Sequence, residues 1–380
     1  MTPLKGLRIL DFSTLLPGPF ATMVLGDLGA DIVRVEAPER PDLLREHNPS
    51  GHRTINRNKR SIIIDLKKGG AKDFVLDSLL PHFDILVEQF RPGVMKRLGL
   101  DYESLSKDFP KLIYCSISGY GQKGKYKSRA AHDLNLIARS GMASYGSQSD
   151  SSPEIPSNQW ADLGGGSMYA MVAILSAVIE RQSSGLGQHL DVSMLHGSLT
   201  NQAIYVSEIL DSKATIKPRN QILNGGSFYG YYRCKDDRFL SIASLEPPFL
   251  KELSEILDLP ELLSFRDIKH IRATLQLKIS SENYDYWLAK FAHSNCCVEP
   301  VLELQEALDE NRDKLIQMPQ GTEQISHPVK FSRSEPEYKN CGSPAGQHTL
   351  EILKEFGISD QKISQLTEQG IVQQTTTSAD

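Results

Sequence analysis

Two short stretches place ionisable side chains where proton chemistry could use them. Ala131-His132-Asp133-Leu134-Asn135-Leu136 and Ala161-Asp162-Leu163-Gly164-Gly165-Gly166 each put one such group at a predicted helix start. His and Asp differ in proton affinity, so together they could take a proton from one face of a carbon acid and return one to the other. The positive end of a helix disfavours imidazolium, which would keep the His132 ring neutral and able to accept a proton. Each residue also has an ordinary reading. His132 is one of 10 histidines, and a lone His is commonly structural or exposed; Asp162 is a good helix N-cap. The glycines at 164–166 are costly inside a helix, and close approach of backbone to a ligand would justify them. Exposed N–H groups at that helix start would also stabilise a negative oxygen such as an enolate.

Gly119-Tyr120-Gly121-Gln122-Lys123-Gly124 is a literal GxGxxG and, with Lys125, half of a Walker loop. Tyr126 stands where the Walker pattern needs Ser or Thr, and residues 125–129 have no apolar period to open a helix. The stretch reads as a basic glycine-rich loop, either solvated or touching phosphates through Lys123, Lys125 and Lys127. Glu36 sits where a dinucleotide fold places its ribose-reading acid. The first turn, Ser13-Thr14-Leu15-Leu16-Pro17-Gly18, lacks the glycines that admit a pyrophosphate, so no nicotinamide cofactor is expected. No HExxH, GxSxG or metal-ligand spacing occurs, and no metal is expected either. Glu246, by its surroundings, is a loop acid at the end of a predicted strand.

The elements that position these residues follow from hydrophobic period. Strands are expected at 7–12, 31–36, 61–66, 83–88, 112–118 and 188–194. Helices are expected from Pro17 and Pro19, around 71–80, from Asp133, and over 164–182. Such alternation predicts an α/β fold, a doubly wound, Rossmann-like parallel sheet. Gly29 and Gly185 would end their helices. The stripe Met168, Met171, Val172, Leu175, Val178, Ile179 reads as core. Residues 149–157 form a linker, and 217–226 mark a change of composition. A hairpin is expected where 228–234 and 238–243 flank Lys235-Asp236-Asp237. The expected division is a large Rossmann-like domain over 1–205, a smaller α+β domain over 206–330, and a C-terminal segment over 331–380 that ends in a polar tail from Gln373.

A net charge of −5 and a pI near 6.1 argue against a dedicated nucleic-acid or membrane-surface binder. Five cysteines with no framework spacing fit reduced thiols. The start MTPLKGLRIL has no signal architecture, and no apolar run is read as approaching membrane-spanning length. A cytoplasmic protein with neither nucleic acid nor membrane as partner is expected.

Several blocks then become specific: LPGPFATMVLGDLGADIVRVE, NRNKRSIIIDLKK, EQFRPGVMKRLGL, LIYCSISGYGQKG, AHDLNL, WADLGGGSM, ERQSSGLGQHLDVSM, NGGSFYGYYRCKDDRFLSIASLEPPF and CCVEPVL. In this order, over nearly the whole chain, they resemble the family III CoA-transferase superfamily of CaiB/BaiF type, and within it the α-methylacyl-CoA racemases. The resemblance implies ring-shaped chains in an interlocked homodimer, with the C-terminal segment rejoining the large domain. It implies an acyl-CoA substrate, coenzyme A being part of the substrate. His132 and Asp162 then correspond to the catalytic pair, and Glu246 to a Glu that supports the His, with the partner subunit as one source. Ile63, Ile64, Asp65, Leu66 and Ala131, Asp133, Leu134, Asn135, Leu136 fall on CoA-binding segments, and Arg91 on the RPGV motif beside the nucleotide.

Two departures stand out. Ala37-Pro38 replaces an Arg-Pro pair, leaving Arg40 or Lys59 to supply a CoA-contacting cation, and AHDLNL replaces GHDINY, which alters the acyl pocket. The implied reaction is inversion of the α-carbon of 2-methyl-branched acyl-CoA thioesters. The alternative is CoA transfer between carboxylic acids through an acyl anhydride on Asp162. A transferase does not need the His, so His132 favours proton transfer.

Overall fold

The computed structural model describes residues 2–146, 152–212, 217, 220–264 and 267–375. Residues 149–151 of the expected linker, 218–219 of the expected boundary and 376–380 of the expected tail lie outside the described residues. Strands β1 (Arg8–Asp11), β2 (Asp31–Glu36), β3 (Lys59–Ile64), β4 (Ile85–Glu88), β5 (Ile113–Ser118) and β6 (His189–Ser193) are the six read from the sequence. They pair in parallel in the order β3-β2-β1-β4-β5-β6. β4 and β5 are buried at every residue, as expected of parallel strands covered on both faces. The order reverses between β1 and β4: the chain leaves β1 for β2 on one side and β4 for β5 on the other. A crevice therefore opens beyond the carboxyl ends of these two strands.

Helix Pro17–Asp27 starts with prolines in its first turn, and Gly29, at φ 98°, follows its end. The stretch 71–80 is not one regular helix. It is an α turn (Ala71–Phe74), a wide π turn (Val75–Leu79) and a tight 3₁₀ turn (Leu80–His82). Pro81 has no N–H to continue the α pattern.

Contacts group residues 1–140, 156–202 and 313–380 into one compact unit, and 141–155 and 203–312 into another. In the second unit β7 (Gly230–Arg233) and β8 (Phe239–Ile242) form the expected hairpin, and β9 (Val298–Pro300) pairs beside β8. Its core surrounds Trp287, Leu253, Leu257, Leu275 and Ile279. In the first unit β10 (Leu315–Gln317) and β11 (Glu323–Ile325) form a short hairpin. There β12 (Val372–Gln373) pairs antiparallel with β3, Val372 opposite Ile64, and so covers the sheet edge. Gln373, read as the start of a polar tail, is a strand residue instead.

The stretch before β6 is a wide π helix over Ala161–Ser167 that continues as α-helix Met168–Ser184. By length and hydropathy this 24-residue helix would suit a membrane span, contrary to the expectation that no run came near one. Ala170, Met171, Ile174 and Ala177 are buried within the unit. Met168, Val172 and Ile179 are 52, 60 and 66% exposed. The stripe taken as core is thus only partly core. The buried face is centred on two alanines, which a count of large apolar residues overlooks.

Candidate active site

A cleft of about 320 Å³ occupies the crevice. It is lined by Thr14 and Leu15 after β1, by Gln89, Phe90, Arg91 and Pro92 after β4, and by Ser118, Gly119 and Tyr120 at the end of β5. Lys127, Arg129, Ala130, Ala131, His132, Asn135, Asp162 and Met194, with Pro17 and Ile117, complete the wall. His132, Asp162, Arg91, Ala131 and Asn135, separate in sequence, are therefore brought to one place.

The two opening stretches are tied by hydrogen bonds. One oxygen of Asp133, Oδ1, accepts from the backbone N–H of Ala161 at 2.7 Å and of Asp162 at 2.9 Å. The expectation that Asp162 caps its own helix is thus corrected: Asp133 answers that helix start from a distance, and the Asp162 side chain is left over. Asn135 Oδ1 accepts from the His132 N–H at 3.0 Å, and the His132 carbonyl accepts from the Asn135 N–H at 2.9 Å. This reciprocal pair fixes His132 at the head of helix Asp133–Ser140.

Two further expectations change with it. The N–H groups of Ala161 and Asp162, offered above to a negative oxygen, are already taken by Asp133. The glycines face protein: a Cβ at Gly165 would lie 2.5 Å from the Met194 carbonyl oxygen, and one at Gly166 2.9 Å from Met194 Cγ. They let helix Met194–Thr200 close on the backbone.

Asp162 is the electrostatic outlier of the cleft. Burial, and then the negative charge of Asp133, push its carboxyl up to about 7. Among the described residues no Lys or Arg forms an ion pair with it. His132 stands exposed at the mouth. Ser118 is only 7% exposed, and its hydroxyl meets no hydrogen-bond partner among the described residues. Reading the sequence missed Ser118; its position at the carboxyl end of β5 was the available signal. It also missed Leu15, a non-glycine at φ 60°. The Leu15 N–H donates to Asp42 Oδ2 at 2.9 Å, and Arg34 holds that oxygen at 2.5 Å. Glu88 Oε2 accepts from the Phe90 N–H at 2.8 Å and shapes the turn that presents Arg91. Burial pushes Glu88 up to about 7.

The remaining predicted residues lie elsewhere. Leu136 is fully buried and Leu134 is 47% exposed. Ile63 and Ile64 are buried on β3 against β12. Asp65 Oδ1 accepts from the Lys67 N–H at 3.0 Å, and Leu66 packs against the core. None of these lines the cleft. Lys59 is not available to replace the missing cation: it is buried, its Nζ donating to the Pro19 carbonyl at 2.9 Å and Asn56 Oδ1 at 3.0 Å. Arg40 is exposed. The Glu36 carboxylate is held by Arg45 and Ser61, each at 2.6 Å. Glu246 is an exposed residue of the second unit at the head of helix Pro247–Leu257. Among the described residues no three His, Cys, Asp or Glu gather as a cation site.

Comparison with known proteins fits this arrangement. The family model "CoA-transferase family III" matches residues 4–349. The chain is 35% identical to mouse alpha-methylacyl-CoA racemase, over 97% of both chains. It is 31% identical to human succinyl-CoA:glutarate CoA-transferase, over 98% of this chain and 90% of that one. A crystal structure of a CaiB/BaiF family protein from Brucella suis superposes with a TM-score of 0.82 at 27% identity, covering 93% of this chain and 99% of the other. With the model spanning most of its length and full-length relatives above 30% identity, the chain belongs to CoA-transferase family III.

Proposed function

We propose that the protein is an acyl-CoA racemase that inverts the α-carbon of 2-methyl-branched acyl-CoA thioesters by two-base proton transfer. The observation that carries this reading is the meeting, in one cleft, of His132 and an Asp162 carboxyl with no compensating cation. An acid poised near 7 exists in both protonation states at neutral pH, so it can give or take a proton. A permanent nucleophile would be better served by a neighbouring cation that keeps it ionised.

In one direction the neutral His132 ring removes the α-proton, and the C–H electron pair moves into the thioester as an enolate. Asp162, protonated, delivers its proton to the opposite face, leaving imidazolium and carboxylate that reset through solvent. In the other direction the roles exchange. The Ser118 hydroxyl, otherwise unpartnered, donates to the thioester oxygen as it gains charge. Arg91 and the exposed Arg40 meet CoA phosphates, and Ile63, Ile64, Asp65 and Leu66 form the floor under the nucleotide. Leu134 and Leu136 support the segment from Ala131. The exposed apolar residues Met168, Val172 and Ile179 would be covered in a homodimer, in which Glu246 of the partner subunit supports His132. The reaction needs no metal and no nicotinamide, and its proposed setting is the cytoplasm.

The second reading, CoA transfer through an anhydride on Asp162, is favoured by the 31% identity to the human transferase. Configuration separates the two. One epimer of a 2-methylacyl-CoA should become a mixture of both with CoA still attached, as read by chiral chromatography, and His132→Ala should leave the single epimer. Retention of configuration by the wild type, with CoA moving to an added acid, would select the transferase.

A further inference from the structure

The basic loop gathers charge that the proton-transfer step does not use. A second cavity, of about 550 Å³, is lined by Tyr120, Arg129, Ala130, Asn135, Ala138 and Arg139. Four of these, Tyr120, Arg129, Ala130 and Asn135, also line the cleft that holds His132 and Asp162, so the two spaces adjoin. One ring organises the cations: the Arg139 guanidinium lies 4.2 Å from the Tyr126 ring centroid, the Lys125 ammonium 4.9 Å and the Arg129 guanidinium 5.4 Å. Among the described residues none of the three has a carboxylate within ion-pair reach. Elsewhere in the same unit, Arg34, Arg45, Arg57, Arg60 and Arg181 each hold an acid. The negative face of the ring fixes the guanidinium groups, and their mutual repulsion is relieved when an anion arrives between them.

Strand order gives that anion a direction. Residues 63–66 end and follow β3 and Arg91 follows β4, whereas every residue that lines this cavity follows β5. A thioester whose nucleotide lies along the β3–β4 side and whose α-carbon reaches Asp162 sends its acyl chain toward Arg129 and Arg139. We propose that these two arginines form a carboxylate subsite, and that the preferred substrate is a CoA thioester whose acyl chain ends in a second anionic group. The proposal rests on the reading of the cleft as an acyl-CoA site, and is independent of whether a proton or CoA moves there.

The test uses the full chain and two 2-methylacyl-CoA thioesters of equal length, one ending in a methyl group and one in a carboxylate. Wild type should prefer the carboxylate by about tenfold in kcat/KM, a preference that falls as salt rises. Arg139→Gln should erase the preference. Arg139→Lys should restore part of it, because an ammonium supplies charge without the bidentate fork. Equal kcat/KM values in the wild type, or a preference untouched by Arg139→Gln, would overturn the subsite. Equal weakening of both thioesters by Arg139→Gln, absent with 3′-dephospho-CoA thioesters, would assign the arginines to a nucleotide phosphate and also overturn it. Failure of the underlying reading looks different: by titration calorimetry neither thioester would bind the wild type, and the carboxylate subsite would fall with it.

Discussion

Asp27 and Asp162 belong to the same compact unit and are housed in opposite ways. Asp27 is fully buried, and its oxygens are all answered: Arg57 donates from Nε at 2.8 Å and Nη2 at 2.6 Å, and Asn58 from Nδ2 at 2.8 Å. The same guanidinium reaches the Ile325 carbonyl at 2.7 Å, so one ion pair joins helix Pro17–Asp27, the approach to β3 and the β10–β11 hairpin. Among the described residues Asp162 has no such partner, and the charge it feels is that of another acid, Asp133. Compensation makes the first acid part of the architecture. Its absence leaves the second free to change protonation near neutral pH, which is where acid–base chemistry is done.

The largest expected contrast comes from the same substitution at both sites. Asp162→Asn should lower α-proton exchange by about 10³-fold or more, yet at pH 8 it should unfold at higher urea than wild type, by about 1–2 kcal/mol, because a neutral amide replaces a poorly housed charge. Asp27→Asn should cost about 3–5 kcal/mol by leaving Arg57 buried and unanswered, while the molecules still folded keep their exchange rate. Urea midpoints and exchange rates measured together decide this. A destabilised Asp162→Asn would break the comparison.

Ser118→Ala should lower kcat about tenfold with a much smaller change in KM, since its hydroxyl is assigned to charge that develops during reaction. A change confined to KM would place the hydroxyl in ground-state binding. Asp133→Asn sharpens the electrostatic part. Removing the like charge should move the Asp162 limb of the pH–rate profile to lower pH, by up to about one unit. Glu88 is also held near 7, so the limb belonging to Asp162 is the one that Asp162→Asn abolishes.

The smallest effect is on stability. Asp162 rises from an ordinary 3.8 to about 7 on folding. An acid raised in this way contributes stability that is fully present below about 3.8 and is lost as pH rises through about 7. The wild-type unfolding free energy read from urea titration should therefore fall between pH 6 and pH 8, by about 1 kcal/mol after allowance for partial exposure, and less in Asp162→Asn. Glu88 acts in the same direction and accounts for the remainder. A midpoint that rises over this interval would contradict both assignments.

Strands β1 to β5 were legible because burial writes runs of Val, Ile and Leu, as in Ile62-Ile63-Ile64; β6, at the sheet edge and largely exposed, was legible from the alternation of Leu190 and Val192 with polar residues. β12 was not, because two residues, one of them the polar Gln373, carry no period. The pairing of the AHDLNL and ADLGGG stretches could be expected, but not its mechanics. A sequence shows residue 133 its neighbours three and four away, and not the N–H groups of residues 161 and 162 that it holds. Lys59, flanked by Arg57 and Arg60, looks like part of a basic surface. Only the fold shows that Lys59 and Arg57 are interior and occupied. The glycines at 164–166 signalled a close approach correctly, but its partner is Met194. The apolar stripe after them was read by residue type, whereas the alanines decide which face is buried.

The central claim, that Asp162 and His132 move protons rather than an acyl group, is most directly tested in heavy water. With one epimer of a 2-methylacyl-CoA, the account predicts a single deuterium at the α-carbon, CoA still attached and configuration lost at a matching rate. Thioester that stays unlabelled, with an acyl group trapped on Asp162 by hydroxylamine and CoA appearing on a free acid, would contradict it.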